Sequence, residues 1–251
     1  MITLEGRSAL VTGGSRGIGR ATALLLADAG ADVGVTCHSR RADADAVAQA
    51  IRGRGRRAFV GMGDHGDPET MPRVIREATA AFGGLDILVV NAGVWPPEAV
   101  PLREMRLAQW TATCRANLDA VFHTVRAALP VLRAGTGRII LVGSTAGQRG
   151  EGGHADYAAT KGALLALTRS LAVECAPDLT VNCVAPGWVD TEMTTRALTG
   201  SDRARAVAGI PLGRIATPED IAGPIVFLAS DLARHMTGSV VSVNGGSVLA
   251  G

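Results

Sequence analysis

The chain of 251 residues holds one tyrosine and one lysine, Tyr157 and Lys161, in Ala155-Asp156-Tyr157-Ala158-Ala159-Thr160-Lys161-Gly162. The other members of its Lys and Arg set are all arginine. The run that follows, Ala163 to Leu171, predicts a helix, and on a helix residues at i and i+4 share a face, so the phenol and the ammonium can meet. Arginine cannot stand in for that cation, because a guanidinium neither gives up its charge nor presents a compact point charge. A free phenol holds its proton to about pH 10, and a neighbouring cation lowers that value. The spacing therefore predicts a phenol kept as a proton donor and acidified by Lys161. The plainer alternative is two rare surface residues that happen to be neighbours.

Such a donor needs a partner and a scaffold. Ser8–Thr12 reads as a short apolar strand running into Gly13-Gly14-Ser15-Arg16-Gly17-Ile18-Gly19 and then a helical pattern from Arg20 to Gly30. Strand, glycine turn and helix start form a pyrophosphate site: glycines admit the anion close to the backbone, and free N–H groups at the helix start face it. The spacing is G-x-x-x-G-x-G rather than G-x-G-x-x-G, and an ordinary turn is the alternative. The second strand, Asp32–Cys37, leads into His38-Ser39-Arg40-Arg41. In dinucleotide folds an acid near this point binds the adenosine ribose hydroxyls. Here Cys37 stands there, with Ser39, Arg40 and Arg16 nearby. A missing carboxylate and available guanidiniums favour the 2′-phosphate of NADP(H). NAD stays open if Arg40 and Arg41 are only the exposed start of the next helix.

A third strand, Ala58–Met62, delivers Asp64, which either accepts from an adenine amino group or caps a turn. A helix from Pro68 to about Phe82 precedes a fourth strand, Asp86–Val90, which runs into Asn91-Ala92-Gly93. Loops after strand C-termini line the ligand crevice, so this triplet shares an edge with the glycine turn. One long helical region is predicted over residues 102–132. Its Asn117, in apolar surroundings, is either a structural bridge or a functional polar group. The fifth strand, Arg138–Val142, brings Ser144 to the same edge, and a loop from Gln148 to His154 leads to Tyr157. The sixth, Thr180–Val184, opens into Ala185-Pro186-Gly187-Trp188. Residues 188–212 read as a mobile helical flap, followed by a helix capped at Thr217 and a last strand, Ser239–Val243. Trp95, Gln148, His154, Trp188 and Met193 follow strand ends and are candidates for the substrate pocket, with ordinary loop packing as the alternative. Strands alternating with helices predict one doubly wound α/β domain over 1–251.

Composition narrows the class. The chain is 47% hydrophobic but only 3% aromatic, so its core is built of Ala, Val, Leu and Ile, as suits helices on a parallel sheet. A formal charge of +2 gives no reason to expect nucleic acid or an anionic membrane as partner. No group of His, Cys, Asp and Glu has metal-ligand spacing, and the four cysteines are scattered, as expected of reduced thiols in a cytoplasm. The first residues lack the charged and apolar regions of a signal peptide, and no apolar run approaches a membrane span.

Taken in order, Thr12-Gly13-x-x-x-Gly17-Ile18-Gly19, Asn91-Ala92-Gly93, Asn117, Ser144, Tyr157-x-x-x-Lys161 and Pro186-Gly187 resemble the short-chain dehydrogenase/reductase family over nearly the whole chain. The nearest likeness is to reductases of the 3-oxoacyl-[acyl-carrier-protein] type. The resemblance implies a single Rossmann-like domain, a seven-stranded parallel sheet with helices on both faces, and a homotetramer. It implies Tyr157 as acid in carbonyl reduction and base in alcohol oxidation, and Ser144 as a donor to the substrate oxygen. Lys161 would hold the nicotinamide ribose and acidify the phenol, and Asn117 would hold a relay water. Thr12 and Asn91 would brace the cofactor loops, Gly13, Gly17 and Gly19 would make room for the pyrophosphate, and Thr191 would meet the nicotinamide carboxamide. Reductases that act on carrier-bound substrates present basic residues at the site mouth. After the catalytic helix this chain reads Glu174-Cys175-Ala176-Pro177-Asp178, which leaves Arg133, Arg138 or Arg149 for that role. The expected activity is NADPH-dependent reduction of a ketone or 3-oxoacyl group. Alternatives are an NAD-dependent secondary-alcohol or sugar dehydrogenase, and a non-catalytic dinucleotide sensor, which would not need Ser144, Tyr157 and Lys161 together.

Overall fold

Apolar residues one apart along each strand face opposite ways, and here both faces are covered. In the computed structural model, which describes residues 2–249, Ala9 and Val11 of β1 (Ser8–Val11) pack into one layer, and Leu10 packs into the other. The first layer is closed by α1 (Gly17–Asp28), α2 (Arg41–Arg52) and, late in the chain, α9 (Pro218–Ala229). Leu26, Ile51 and Ile225 supply its buried side chains. The second layer is closed by α3 (Thr70–Phe82), α5 (Ala120–Ala128) and α7 (Ala155–Glu174). Burial on both faces is why β4 (Ile87–Val90) is wholly apolar, why β5 (Gly137–Val142) ends in four apolar residues, and why β2 (Asp32–Cys37) carries apolar or small residues over most of its length.

With β3 (Ala58–Met62), β6 (Leu179–Pro186) and β7 (Val240–Val243), these strands form one seven-stranded sheet in the order β3-β2-β1-β4-β5-β6-β7, and each recorded pairing is parallel. The chain therefore turns back between β1 and β4. Loops on either side of that switch point diverge and leave a crevice at the strand C-termini. This is the doubly wound, Rossmann-like sheet expected from the sequence.

Two elements differ from expectation. The region 102–132 is not one helix: a 3₁₀ turn at Leu102–Glu104 is followed by α4 (Leu107–Cys114), a π turn at Arg115–Asp119, and α5. The segment 188–212 does contain the expected helical structure, as α8 (Gly200–Ala208), and its Leu198 and Ile210 form a small apolar cluster with Ile215, Trp188 packing against it. The expected loop after Ser144 begins instead as a short helix, α6 (Thr145–Arg149). Among the described residues no helix is long and apolar enough to cross a membrane, and no cluster has the makings of a metal site.

Candidate active site

Thr12 and Asn91 tie the two loops of the switch point together. The Thr12 hydroxyl accepts the N–H groups of Asn91 and Ala92, each at 3.0 Å, and Asn91 Nδ2 donates to the Thr12 and Gly13 carbonyls at 3.0 and 3.3 Å. Side chains on the turn would break this clasp. A Cβ on Gly19 would stand 2.3 Å from the Gly13 carbonyl oxygen, while Gly13 and Gly17 have φ of +65° and +51°. α1 begins at Gly17, so its free N–H groups open onto the cleft as a pyrophosphate seat requires.

The reactive end is assembled from three elements. Ser144 ends the β5 loop and caps α6, its Oγ accepting the Ala146 N–H at 3.1 Å. Tyr157 and Lys161 share a face of α7, with Lys161 Nζ 5.8 Å from the Tyr157 ring centre. Lys161 Nζ donates to the Val142 carbonyl at 2.8 Å, tying α7 to the end of β5. Asn117 is wholly buried. The π turn aims it at the β4 loop, where its Oδ1 accepts from the Val94 N–H at 2.7 Å and its Nδ2 donates to the Val94 carbonyl at 2.8 Å and Thr160 Oγ1 at 3.3 Å. It is thus a structural bridge between β4 and α7. It also stands beside the ammonium: a methyl on Gly93 would lie 3.0 Å from Asn117 Oδ1 and 3.6 Å from Lys161 Nζ. Single-turn π segments frequently mark functional sites.

Two supporting residues escaped the sequence reading. Asp156 is fully buried, and its carboxylate accepts from the Tyr157 N–H at 2.9 Å, Thr113 Oγ1 at 2.8 Å and Gln109 Nε2 at 3.2 Å, which pins the start of α7 to α4. An acid in a first helical turn is a recognisable signal, but the α4 contacts are not. Gly147 of α6 lies directly against the α7 backbone, so a Cβ there would meet Lys161 C at 2.5 Å.

The expected acidification of the phenol is not present in the chain by itself. Tyr157 keeps some exposure to the cleft, yet desolvation pushes its phenol up to about 12, the nearby Ser144 hydroxyl opposing this and the Glu151 charge adding to it. Lys161, its ammonium turned to the Val142 carbonyl, is not what sets that value. Burial pushes Lys161 itself down to about 8. A lysine that holds its proton less well when folded makes the unfolded chain the better proton binder between about pH 8 and the free value of 10.5. Its contribution to stability therefore rises with pH across that window, the cost of the buried charge being fully present below it. Without cofactor, Lys161→Met is expected to gain most relative to wild type below pH 8, and the difference should shrink as pH rises to 10.5. Chemical denaturation of both proteins at several pH values checks this. A pH-independent difference would mean that the ammonium is solvated.

These groups stand at one end of a cleft of about 510 Å³. Its walls include Ser15, Arg16 and Ile18 of the glycine turn, Ser39 and Arg40 after β2, Asp64 after β3, Ala92 and Gly93, and Pro186, Gly187 and Thr191 after β6. Asp64 does cap a turn, accepting the Gly66 N–H at 2.9 Å. Desolvation works against its charge, but that N–H and Arg115, at 2.6 Å, hold its carboxyl below the usual range. Arg16 Nη1 and Arg40 Nη2 converge on Glu192 Oε2 at 2.8 and 2.9 Å.

Of the candidate pocket residues, Trp95, Trp188 and Met193 line the cleft. Gln148 and His154 do not, a correction to the sequence reading. α6 turns Gln148 away, to donate to Ser242 Oγ at 2.9 Å. His154 is buried behind Trp95, its ring stacked on the indole at 4.6 Å. In their place the wall holds Glu151, whose Oε1 accepts from Trp95 Nε1 at 3.1 Å, and Arg149. Arg133 and Arg138 are committed elsewhere, to Asp86 at 2.7 Å and to Asp231 at 3.3 Å, so Arg149 alone of the three arginines reaches the cleft.

A switch-point cleft with a glycine turn at one end and Ser144, Tyr157 and Lys161 at the other defines a dinucleotide-dependent oxidoreductase site, and the chain belongs to the short-chain dehydrogenase/reductase family. Residues 13–247 match the family model described as "Enoyl-(Acyl carrier protein) reductase". The chain is 40% identical over 247 residues to the 3-oxoacyl-[acyl-carrier-protein] reductase FabG of Escherichia coli (strain K12), covering 98% of both chains. It is 40% identical over 242 residues to the FabG of Staphylococcus aureus (strain N315), covering 96% of this chain and 97% of that one. Among solved structures it is similar to a short-chain dehydrogenase/reductase, glucose/ribitol dehydrogenase, from Brucella melitensis (TM-score 0.93, 36% identity, 99% of each chain). It is also similar to a short chain dehydrogenase from Burkholderia cenocepacia J2315 in complex with NADP (TM-score 0.92, 37% identity, 97% of this chain and 98% of that one). The protein is an oxidoreductase of this family.

Proposed function

We propose that this chain reduces a ketone or 3-oxoacyl group to a secondary alcohol with NADPH, Tyr157 giving the proton. The observation that carries the reading is the placement of two hydroxyls, Ser144 and Tyr157, and the Lys161 ammonium at one end of a cleft whose other end presents paired guanidiniums. Reduced nicotinamide, when bound, supplies the hydride. Charge then builds on the carbonyl oxygen. Ser144 steadies that oxygen with a hydrogen bond while the phenol protonates it. Lys161, beside the phenol, binds the ribose hydroxyls and shares the proton traffic with Asn117. Gly13, Gly17 and Gly19 leave room for the pyrophosphate, Asp64 faces the adenine, Thr191 the carboxamide, and Arg16 with Arg40 takes the 2′-phosphate. The resident carboxylate between those two arginines supports this last assignment, since it occupies them with an anion now. Trp95, Trp188 and Met193 wall the substrate side. The relatives named as 3-oxoacyl reductases favour a 3-oxoacyl substrate, and Arg149 is the cation available at the mouth for an acidic carrier.

The test is NADPH oxidation over a panel of ketones and 3-oxoacyl thioesters. NADPH is expected to exceed NADH in kcat/KM by about tenfold or more, the worth of hydrogen bonds to a charged group. A clear NADH preference would overturn the cofactor assignment. Tight cofactor binding with no turnover on the whole panel would favour the sensor. We further read residues 188–212 as a flap over the substrate, packed around an apolar cluster that Ile215 completes, and the chain as a cytoplasmic homotetramer. Leu107, Phe122 and Val173, exposed on α4, α5 and α7, support an assembled state, and a light-scattering mass of four chains checks it.

A further inference from the structure

Glu192 stands where a cofactor phosphate is expected. Its Oε2 accepts from Arg16 Nη1 at 2.8 Å and from Arg40 Nη2 at 2.9 Å, and Arg40 Nη1 lies 3.5 Å from its Oε1. The two arginines come from different loops, after β1 and after β2, so the carboxylate bridges them across the cleft wall. Glu192 comes from the far side, on the turn after β6. That turn is closed by Thr194, whose Oγ1 donates to the Val189 carbonyl at 2.6 Å and accepts from the Thr191 N–H at 3.2 Å. Thr191 and Met193 flank Glu192 directly, and all three line the cleft. Thr191 also packs on the glycine turn, its Cγ2 3.3 Å from where a Gly17 Cβ would be. One side chain thus joins the phosphate-side arginines to the segment that walls the substrate side.

We propose that Glu192 is an internal stand-in for the cofactor 2′-phosphate: it competes for Arg16 and Arg40 and sets the margin by which NADPH is preferred over NADH. The proposal rests on the reading that these arginines take the 2′-phosphate. A phosphate carries more charge than a carboxylate and more acceptor oxygens, so it displaces Glu192 from both guanidiniums and then repels it. NADH brings no such group and leaves the clasp closed. The carboxylate, held at half-exposed sites, is easily released, its contacts being of the weak surface kind. Release frees the turn that carries Thr191 and Met193. Binding of the phosphorylated cofactor is thereby linked to loosening of residues 188–198, whereas the unphosphorylated cofactor leaves that segment tethered.

The experiment measures the dissociation constants of NADPH and NADH for wild type, Glu192→Gln, Arg16→Ala and Arg40→Ala by nucleotide fluorescence. Glu192→Gln is expected to bind NADPH about three- to tenfold more tightly and to leave NADH within about twofold, because only the phosphate competes with the carboxylate. Trypsin gives a second readout at Arg196, which is exposed on the same segment. Adenosine 2′,5′-bisphosphate, with no nicotinamide, should speed cleavage there in wild type. AMP should not, and Glu192→Gln should be cut at the fast rate without ligand. An NADPH constant unchanged or weakened in Glu192→Gln would overturn the proposal. So would a weakened NADH constant, which would mean that Glu192 holds ribose hydroxyls. The arginine variants separate the two layers. If they lose NADPH affinity selectively while Glu192→Gln changes nothing, the role of Glu192 alone fails. If they bind both cofactors as wild type does, the assignment of the 2′-phosphate fails and the proposal falls with it. Glu192→Asp, which keeps the charge, should restore wild-type behaviour in part, and a matching Tm across the set excludes a folding defect.

Discussion

Replacing Tyr157 with phenylalanine is expected to lower kcat by about 10²–10⁴-fold, the usual worth of a positioned general acid, while cofactor affinity stays within about twofold. Phenylalanine keeps the ring that packs beside Lys161 Nζ at 5.8 Å and removes only the hydroxyl. The glycine turn, the Thr12–Asn91 clasp and the paired arginines are untouched, so binding and chemistry separate cleanly. In the chain by itself burial pushes the phenol up to about 12, so it is protonated through the neutral range, as the proposed acid role requires. A phenol at that value gives up its proton reluctantly. On the proposed mechanism, the barrier falls through the charge that develops on the substrate oxygen, shared with Ser144, and through a lysine poised near 8 within the same site. Single-turnover kinetics with pre-bound NADPH, set against cofactor titration, measure both quantities. A variant that keeps more than about a tenth of wild-type kcat would remove Tyr157 from the acid role.

Strands were the most legible part of the chain. Asp32–Cys37 and Ala58–Met62 fall where the sequence places them, and the others shift by a residue or two, because a strand buried on both faces leaves an apolar run with abrupt ends. The edge shared by Gly13, Asn91 and Ser144 was legible for the same reason: once the strands are placed, their C-terminal loops must meet. What escaped is set by contacts between distant elements. The π turn at Asn117 has no local signal; it forms because Val94 and Thr160 offer partners for an inward amide. The i,i+4 spacing showed that Tyr157 and Lys161 are neighbours, but not that desolvation, rather than the ammonium, dominates the phenol. Arg16 and Arg40 were recognisable as anion binders. That Glu192, more than 150 residues away along the chain, already sits between them was not. Gln148 is misplaced because the run after Ser144 folds into α6, and a helix, unlike a loop, fixes which side chains face the cleft; His154 is misplaced because its ring stacks behind Trp95.

Enlarging Gly147 is expected to damage catalysis more than its distance from the reacting atoms implies. A Cβ there would lie 2.5 Å from Lys161 C and 2.7 Å from both Gly162 N and Lys161 O. These are backbone atoms inside α7 and cannot rotate aside as a flexible side chain would. α6 must therefore back away. Ser144 is its cap, bound through the Ala146 N–H, while Tyr157 and Lys161 stay on α7, so the gap opens between the two hydroxyls that the proposed mechanism brings to one oxygen. Overpacking of this kind costs about 1–3 kcal/mol of stability. A misplacement of about 1 Å costs about 10²-fold in rate. Gly147→Ala is expected to show both losses with NADPH affinity largely kept, because the glycine turn lies on other elements. Gly162→Ala is the matched control. Its Cβ would approach Gly147 O at 3.4 Å, an ordinary contact, and alanine suits a helix interior better than glycine by about 1 kcal/mol. Tm and kcat should therefore fall in the first variant and hold or rise in the second. If the two behave alike, the close approach of α6 to α7 is not what sets the distance between Ser144 and Tyr157.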